Sequence, residues 1–169
     1  VFKTDKEKVE GPSPLVEIAK PIAIKKLWSV SIGQGEGELG LRQKPFIDGD
    51  TLFAADSANE LVAIEKATGK IKWQINANKD PNVGGWKFWE NKTPTFALTG
   101  GPSVYSGLLA IGSRNGEVMA FNALDGSLLW KKMVSSSVVA APLVTSDTVV
   151  VRVNDGKVFG LDFATGEKK

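Results

Sequence analysis

The stretch Ala63–Trp73 reads Ala-Ile-Glu-Lys-Ala-Thr-Gly-Lys-Ile-Lys-Trp, and it returns at Ala120–Trp130 as Ala-Phe-Asn-Ala-Leu-Asp-Gly-Ser-Leu-Leu-Trp. A further copy, Gly160–Lys169, reads Gly-Leu-Asp-Phe-Ala-Thr-Gly-Glu-Lys-Lys and stops one residue short of the matching tryptophan. Each copy is an apolar run, a polar turn and a second run, which reads as strand, tight turn and strand. Gly69, Gly126 and Gly166 sit where such a turn needs a positive φ, which glycine adopts without steric cost. These glycines are 57 and 40 residues apart, and so are Pro45, Pro102 and Pro142. Two anchors at different places in the unit give the same offsets. The unit is therefore about 40 residues, with a 17-residue insertion in one copy (57 minus 40). Four short strands per unit at this period fit the blades of a β-propeller.

Outward from the repeats, the chain divides as follows. Residues 1–26 are polar, mixed in charge and broken by Pro12, Pro14 and Pro21, and read as a flexible leader. Residues 27–32, Leu-Trp-Ser-Val-Ser-Ile, alternate and carry Trp28, so they read as an orphan outer strand that would close a ring of blades. Residues 33–76 form the first blade with its leading loop, and 77–101 an inserted loop. Residues 102–134 form the second blade, and 135–169 a third that lacks its outer strand. Within the third, Val138–Val144, Thr148–Val153 and Lys157–Asp162 are the expected strands. The fold class is thus all-β, a fragment of a propeller of four-stranded antiparallel blades. The cut before the third tryptophan reads as a piece of a longer chain.

A single sheet of this size cannot bury both faces, so blades stack and hide each other's apolar residues. Trp28, Trp73 and Trp130 are read as docking residues, each ring lying over the glycine turn of a neighbouring blade. Burial of such a ring removes about 150–250 Å² from water.

Composition excludes several chemistries. The 169 residues contain neither Cys nor His, so disulfides, thiolate nucleophiles, Ser-His-Asp catalysis and imidazole metal sites are ruled out within this stretch. Twenty-one basic against 19 acidic residues give a net charge of +2, without the basic excess of a nucleic-acid binder. Gly35, Gly37 and Gly40 make a formal GxGxxG, but Pro45 follows instead of the helix a phosphate site needs. Asp48, Asp50 and Asp56 fit turn chemistry better than a calcium loop. No catalytic, cofactor-binding or metal-binding residues are assigned.

Strand alternation puts the loop leading into a first strand and the hairpin between strands two and three on one face. Both long connections, Gly33–Lys44 and Ala77–Gly101, lie there, so that face is the elaborated one, where function is usually placed. The insertion holds Trp86, Phe88 and Trp89 beside Gly84 and Gly85. These three aromatics are a candidate partner-binding spot, or a satellite core packed under their own loop.

The repeat Ala-x-(Asp/Glu/Asn)-x-x-(Thr/Asp)-Gly-x-x-x-Trp resembles the tryptophan-docking repeat of the pyrroloquinoline-quinone propellers. The Pro-containing leader, Leu27-Trp28-Ser29-Val30-Ser31-Ile32-Gly33-Gln34-Gly35, Leu52-Phe53-Ala54-Ala55-Asp56, and the insertion from Lys79-Asp80 to Trp86 followed by Gly100-Gly101 are similar to the N-terminal part of the outer-membrane protein assembly factor BamB family. That resemblance implies an eight-bladed, non-enzymatic scaffold with no cofactor, on the periplasmic face of the bacterial outer membrane. Its implied partners are the periplasmic domains of the BamA insertase, other subunits of the assembly machinery and unfolded outer-membrane proteins. The family is held to the membrane through a lipidated Cys that this stretch lacks. Two other classes share the repeat or the aromatic loop: a quinone-dependent dehydrogenase and a glycan-binding propeller.

Overall fold

The computed structural model describes residues 20, 22–33, 43–77 and 97–169. Most of the leader, the GxGxxG stretch and the aromatic insertion lie outside these described residues. Among the described residues, eleven strands form three antiparallel sheets. The first contains β1 (Phe46–Asp48), β2 (Thr51–Ala55), β3 (Glu60–Glu65) and β4 (Ile71–Asn76). The second contains β5 (Ser103–Tyr105), β6 (Leu108–Gly112), β7 (Glu117–Asn122) and β8 (Leu128–Met133). The third has β9 (Leu143–Val144), β10 (Thr148–Arg152) and β11 (Val158–Asp162). Strands neighbour one another in chain order within every sheet.

Period-two alternation decides what each face of a sheet buries. Leu61 and Ala63 of β3 face the second sheet and share a core with Leu109, Ile111, Met119 and Phe121. Val62 and Ile64 face the other way, towards Trp28, Val30 and Ile32. On the far side of the second sheet, Leu108, Ala110, Val118 and Ala120 meet Val149, Val151 and Leu161 of the third. The second sheet is covered on both faces, and every residue of β6 is buried. In β10 burial alternates, because only one face of that sheet is covered. The first strands converge, β1 against β5 and β5 against β9, while β4 and β8 carry Trp73 and Trp130 at the opposite edge. Strands gathered at one edge and splayed at the other give the wedge stacking of propeller blades.

A β-bulge recurs at matching positions, between Ala63 and Ile64 against β4 and between Ala120 and Phe121 against β8. It sits directly after the pairs Ala63–Trp73 and Ala120–Trp130 and adds local twist where each tryptophan leaves its sheet. The indole N–H of Trp73 then donates to the carbonyl of Ala123 at 3.0 Å, and that of Trp130 to Phe163 at 3.0 Å. The Trp28 indole donates to Lys66 at 2.9 Å. Each acceptor lies three residues before Gly126, Gly166 or Gly69. In all three turns the glycine N–H returns to a carbonyl four residues back, on Asn122, Asp162 and Glu65. A Cβ added at Gly69, Gly126 or Gly166 would stand 2.7, 2.9 or 2.6 Å from the indole carbons, and each glycine has φ between 71° and 77°. Glycine is needed twice over, for the backbone conformation and for the ring.

Two segments form less β-ladder than their apolar alternation suggests. Leu27–Ile32 pairs with no strand among the described residues. It lies extended across the open face of the first sheet, held by Trp28, Val30 and Ile32, because alternate apolar side chains pack there whether or not a backbone ladder forms. The expected strand Val138–Val144 is reduced to Leu143–Val144. Pro142 has no N–H for a ladder, and Val138 is drawn to the second sheet. Its N–H donates to Ser113 at 2.9 Å, and its side chain fills the space over Gly112.

Three outcomes are expected. Trp130 is only 7% exposed, so Trp130→Ala should lower unfolding stability by about 3–5 kcal/mol in a denaturant titration. Gly126→Ala and Gly156→Ala both place a side chain at positive φ, but only Gly126 faces an indole, while Gly156 has open space. Gly126→Ala should therefore cost about 1–3 kcal/mol more than Gly156→Ala, the usual toll of overpacking. The Asp162 carboxylate accepts the N–H groups of Thr165 and Ala164 in the turn under Trp130. Those bonds, the Thr165 N–H foremost, hold its pKa below the ordinary value. A depressed folded pKa stabilises the fold above the ordinary carboxylate pKa, and the contribution is lost as pH falls through the folded value. Asp162→Asn, which copies Asn122 of the second blade, should remove that part of the acid-limb slope in a stability–pH profile.

Candidate partner-binding face

Three hairpins mark one rim of the stacked sheets, at Asp56–Asn59, Ser113–Gly116 and Val153–Gly156. They close alike: Asn59, Gly116 and Gly156 donate their N–H to Asp56, Ser113 and Val153 at 3.3, 3.2 and 3.1 Å. Side chains brace the first two from within. Asp56 Oδ1 accepts the Glu60 N–H at 2.8 Å, and Ser113 Oγ accepts the Glu117 N–H at 3.0 Å. Asp56 and Ser113 are buried, so these polar atoms serve the turn backbone and are not presented to a partner.

The segments leading into each blade are stitched to the same rim. Arg114 N–H donates to Ala97 and Asn154 N–H to Ser137, both at 2.9 Å, bonds that match in register. Thr99 Oγ1 donates to Val138 at 2.5 Å, joining the second blade's leading segment to the third's. Gln43 Nε2 donates to the Leu98 carbonyl, which ties the first blade's leading segment to the second's. The rim is thus a continuous hydrogen-bonded band, and loops placed on it have fixed ends.

Its outer surface is polar and of mixed sign. Glu60 accepts from Asn76 Nδ2 at 2.9 Å and Gln74 Nε2 at 3.1 Å, and Glu117 pairs with Lys131 at 3.2 Å. Asp155 accepts from Ser135 Oγ at 2.7 Å and pairs with Lys157 at 3.1 Å. The Ser135 hydroxyl, with Lys157 behind it, holds the Asp155 carboxyl below the ordinary range. An apolar cleft of about 280 Å³ lies between the extended segment and the first sheet, lined by Trp28, Val30, Ile32, Pro45 and Leu52, with Gln43 of the band also on its wall. Among the described residues, no group of three or more acidic side chains comes together as a metal site.

Trp86, Phe88 and Trp89 lie outside the described residues, but both ends of their insertion are visible. Ala77 leaves β4 beside the first hairpin, and Ala97 returns beside the second. The docking tryptophans and glycines sit elsewhere, Trp73 and Trp130 in the joints between sheets and Trp28 between the extended segment and the first sheet. Sequence reading did not single out Asn59, Leu98 or Thr99. The signal for Asn59 was present, since register places asparagine where the other two hairpins have Gly116 and Gly156.

A family model described as outer membrane protein assembly factor BamB matches residues 25–85 and 80–169. The outer membrane protein assembly factor BamB of Xanthomonas campestris is 36% identical over 136 residues, covering 80% of this chain and 32% of that protein. The namesake from Yersinia pestis is 28% identical over 163 residues, covering 96% of this chain and 40% of that protein. The crystal structure of BamB from Moraxella catarrhalis superposes with a TM-score of 0.61 at 26% identity, over 76% of this chain and 34% of that one. A europium-containing methanol dehydrogenase superposes with a TM-score of 0.62 at 23% identity, over 83% of this chain and 25% of that one, a likeness of fold alone. The chain spans roughly a third of the length of the curated relatives it matches. With four-stranded blades, tryptophan joints and a family match running through all three sheets, the chain belongs to the outer membrane protein assembly factor BamB family.

Proposed function

We propose that this chain works as a non-catalytic scaffold in the machinery that inserts β-barrel proteins into the bacterial outer membrane. It binds the periplasmic domains of the BamA-type insertase and assists insertion of unfolded outer-membrane proteins. The observation that carries this reading is the family match, which extends from residue 25 to residue 169. The rim supports it in physical terms. Packed blades hold loop ends in fixed register, so a partner meets a surface whose ordering cost was met on folding. The working place that follows is the periplasmic face of the outer membrane, with the lipid anchor of the family supplying attachment.

Within this reading, Trp86, Phe88 and Trp89 are the contact residues offered by the insertion. Large aromatics supply most of the binding energy at protein interfaces when they reach a desolvated centre. The chain is tested by titration against purified periplasmic domains of the insertase, followed by calorimetry or light scattering. Saturable binding is expected. Replacing Trp86, Phe88 and Trp89 together by alanine should weaken it by at least about tenfold, the equivalent of one hot-spot residue. Absence of binding by the unmodified protein would remove the scaffold reading. Undiminished binding by the triple variant would move the contact to another part of the rim.

A further inference from the structure

The three rim hairpins each need one residue in the left-handed region. Gly116 and Gly156 fill it with φ of 85° and 88°, whereas the first hairpin uses Asn59 at φ 72°. Asparagine is among the few side chains that tolerate this region, but glycine does so more cheaply. Asn59 is 5% exposed, so it is not there for solubility. Its side chain has a specific partner: Oδ1 accepts the N–H of Leu98 at 3.0 Å. Its backbone carbonyl accepts the N–H of Ala77 at 2.8 Å.

The second joint shows what the side chain is for. Val138 corresponds to Leu98 in register, and its N–H is taken by the backbone carbonyl of Ser113. A main-chain acceptor takes that N–H, and Gly116 suffices in the hairpin. At the first joint the chain reaches Leu98 only after the insertion, and the acceptor is a side-chain amide. Leu98 is fully buried and bridges to Ser113, while Thr99 beside it donates to Gly112 and Val138. A shift at Leu98 would therefore be felt in both later blades.

We propose that Asn59 is a clamp. One residue of the first blade holds the outgoing end of the insertion through its main chain and the returning end through its side chain, and so fixes where the insertion rejoins the propeller. Asn59 is then a positioning residue for the partner-binding rim, a consequence that rests on the scaffold reading above.

Amide hydrogen exchange on the full chain tests the clamp. Asn59→Gly keeps the hairpin conformation, as Gly116 and Gly156 do, but removes the acceptor. Exchange at Leu98 should accelerate by about tenfold or more, the loss of one buried hydrogen bond, while Ala77 stays within about threefold because its main-chain acceptor remains. Asn59→Asp retains an acceptor and tolerates positive φ, so it should keep Leu98 protected. Unchanged protection of Leu98 in Asn59→Gly would overturn the clamp. Equal loosening of Ala77 and Leu98 in both variants would also overturn it, reducing Asn59 to a turn residue. Titration of the same variants with the insertase periplasmic domains separates the two ideas. Weaker binding by Asn59→Gly alone supports both. Unchanged binding with lost Leu98 protection keeps the clamp and removes the rim from the partner contact.

Discussion

An indole seated on a glycine turn is the contact on which the rest of this structure depends. It joins three requirements in one place. The ring buries apolar area between sheets, its N–H meets a carbonyl that the turn leaves free, and the glycine makes room with a backbone conformation other residues resist. Because Trp73 and Trp130 each belong to one sheet and their glycine turns to the next, that contact cannot form within a single blade. Trp28 shows how strong the preference is. Its segment has no ladder partner among the described residues, yet its indole reaches Lys66 as Trp73 reaches Ala123 and Trp130 reaches Phe163.

The joints are closed at two ends by different means. At the tryptophan end the fastening repeats without variation. At the rim it varies: Val138 is held by the main chain of Ser113, and Leu98 by the side chain of Asn59. Variation belongs where insertions are carried, because a loop of new length changes the position from which the chain returns. A repeat fold can thus diversify one rim while the packing between blades stays uniform. That division suits a scaffold, in which rigid sheets set loop positions and the loops meet partners.

Much of the architecture was legible because the repeat is written in residues with narrow physical roles. Gly126 and Trp130, or Gly69 and Trp73, keep a fixed spacing that sets strand, turn and strand. The Asn115-Gly116 and Asp155-Gly156 pairs mark hairpins. Val138–Ala141 was misread because its apolar character also suits packing over Gly112, and alternation cannot separate the two uses. For Leu27–Ile32, read as an orphan strand, alternation reports which side chains are buried and not whether the backbone has a neighbour. On the rim, the aromatics of the insertion drew attention by composition, while Asn59 looked like an ordinary turn residue.

By itself the sequence determined the period of the repeat, the hairpins, the alternating core faces and the chemistries excluded by the lack of Cys and His. Those follow from local rules, in which spacing and residue type act over a few positions. Only the tertiary structure decided which carbonyl each indole meets, that β9 is cut to Leu143–Val144, and that Asn59 reaches Leu98 across 39 positions of chain. These depend on how one sheet is set against the next. That setting is fixed by the summed packing of both faces, and no single stretch of sequence contains it.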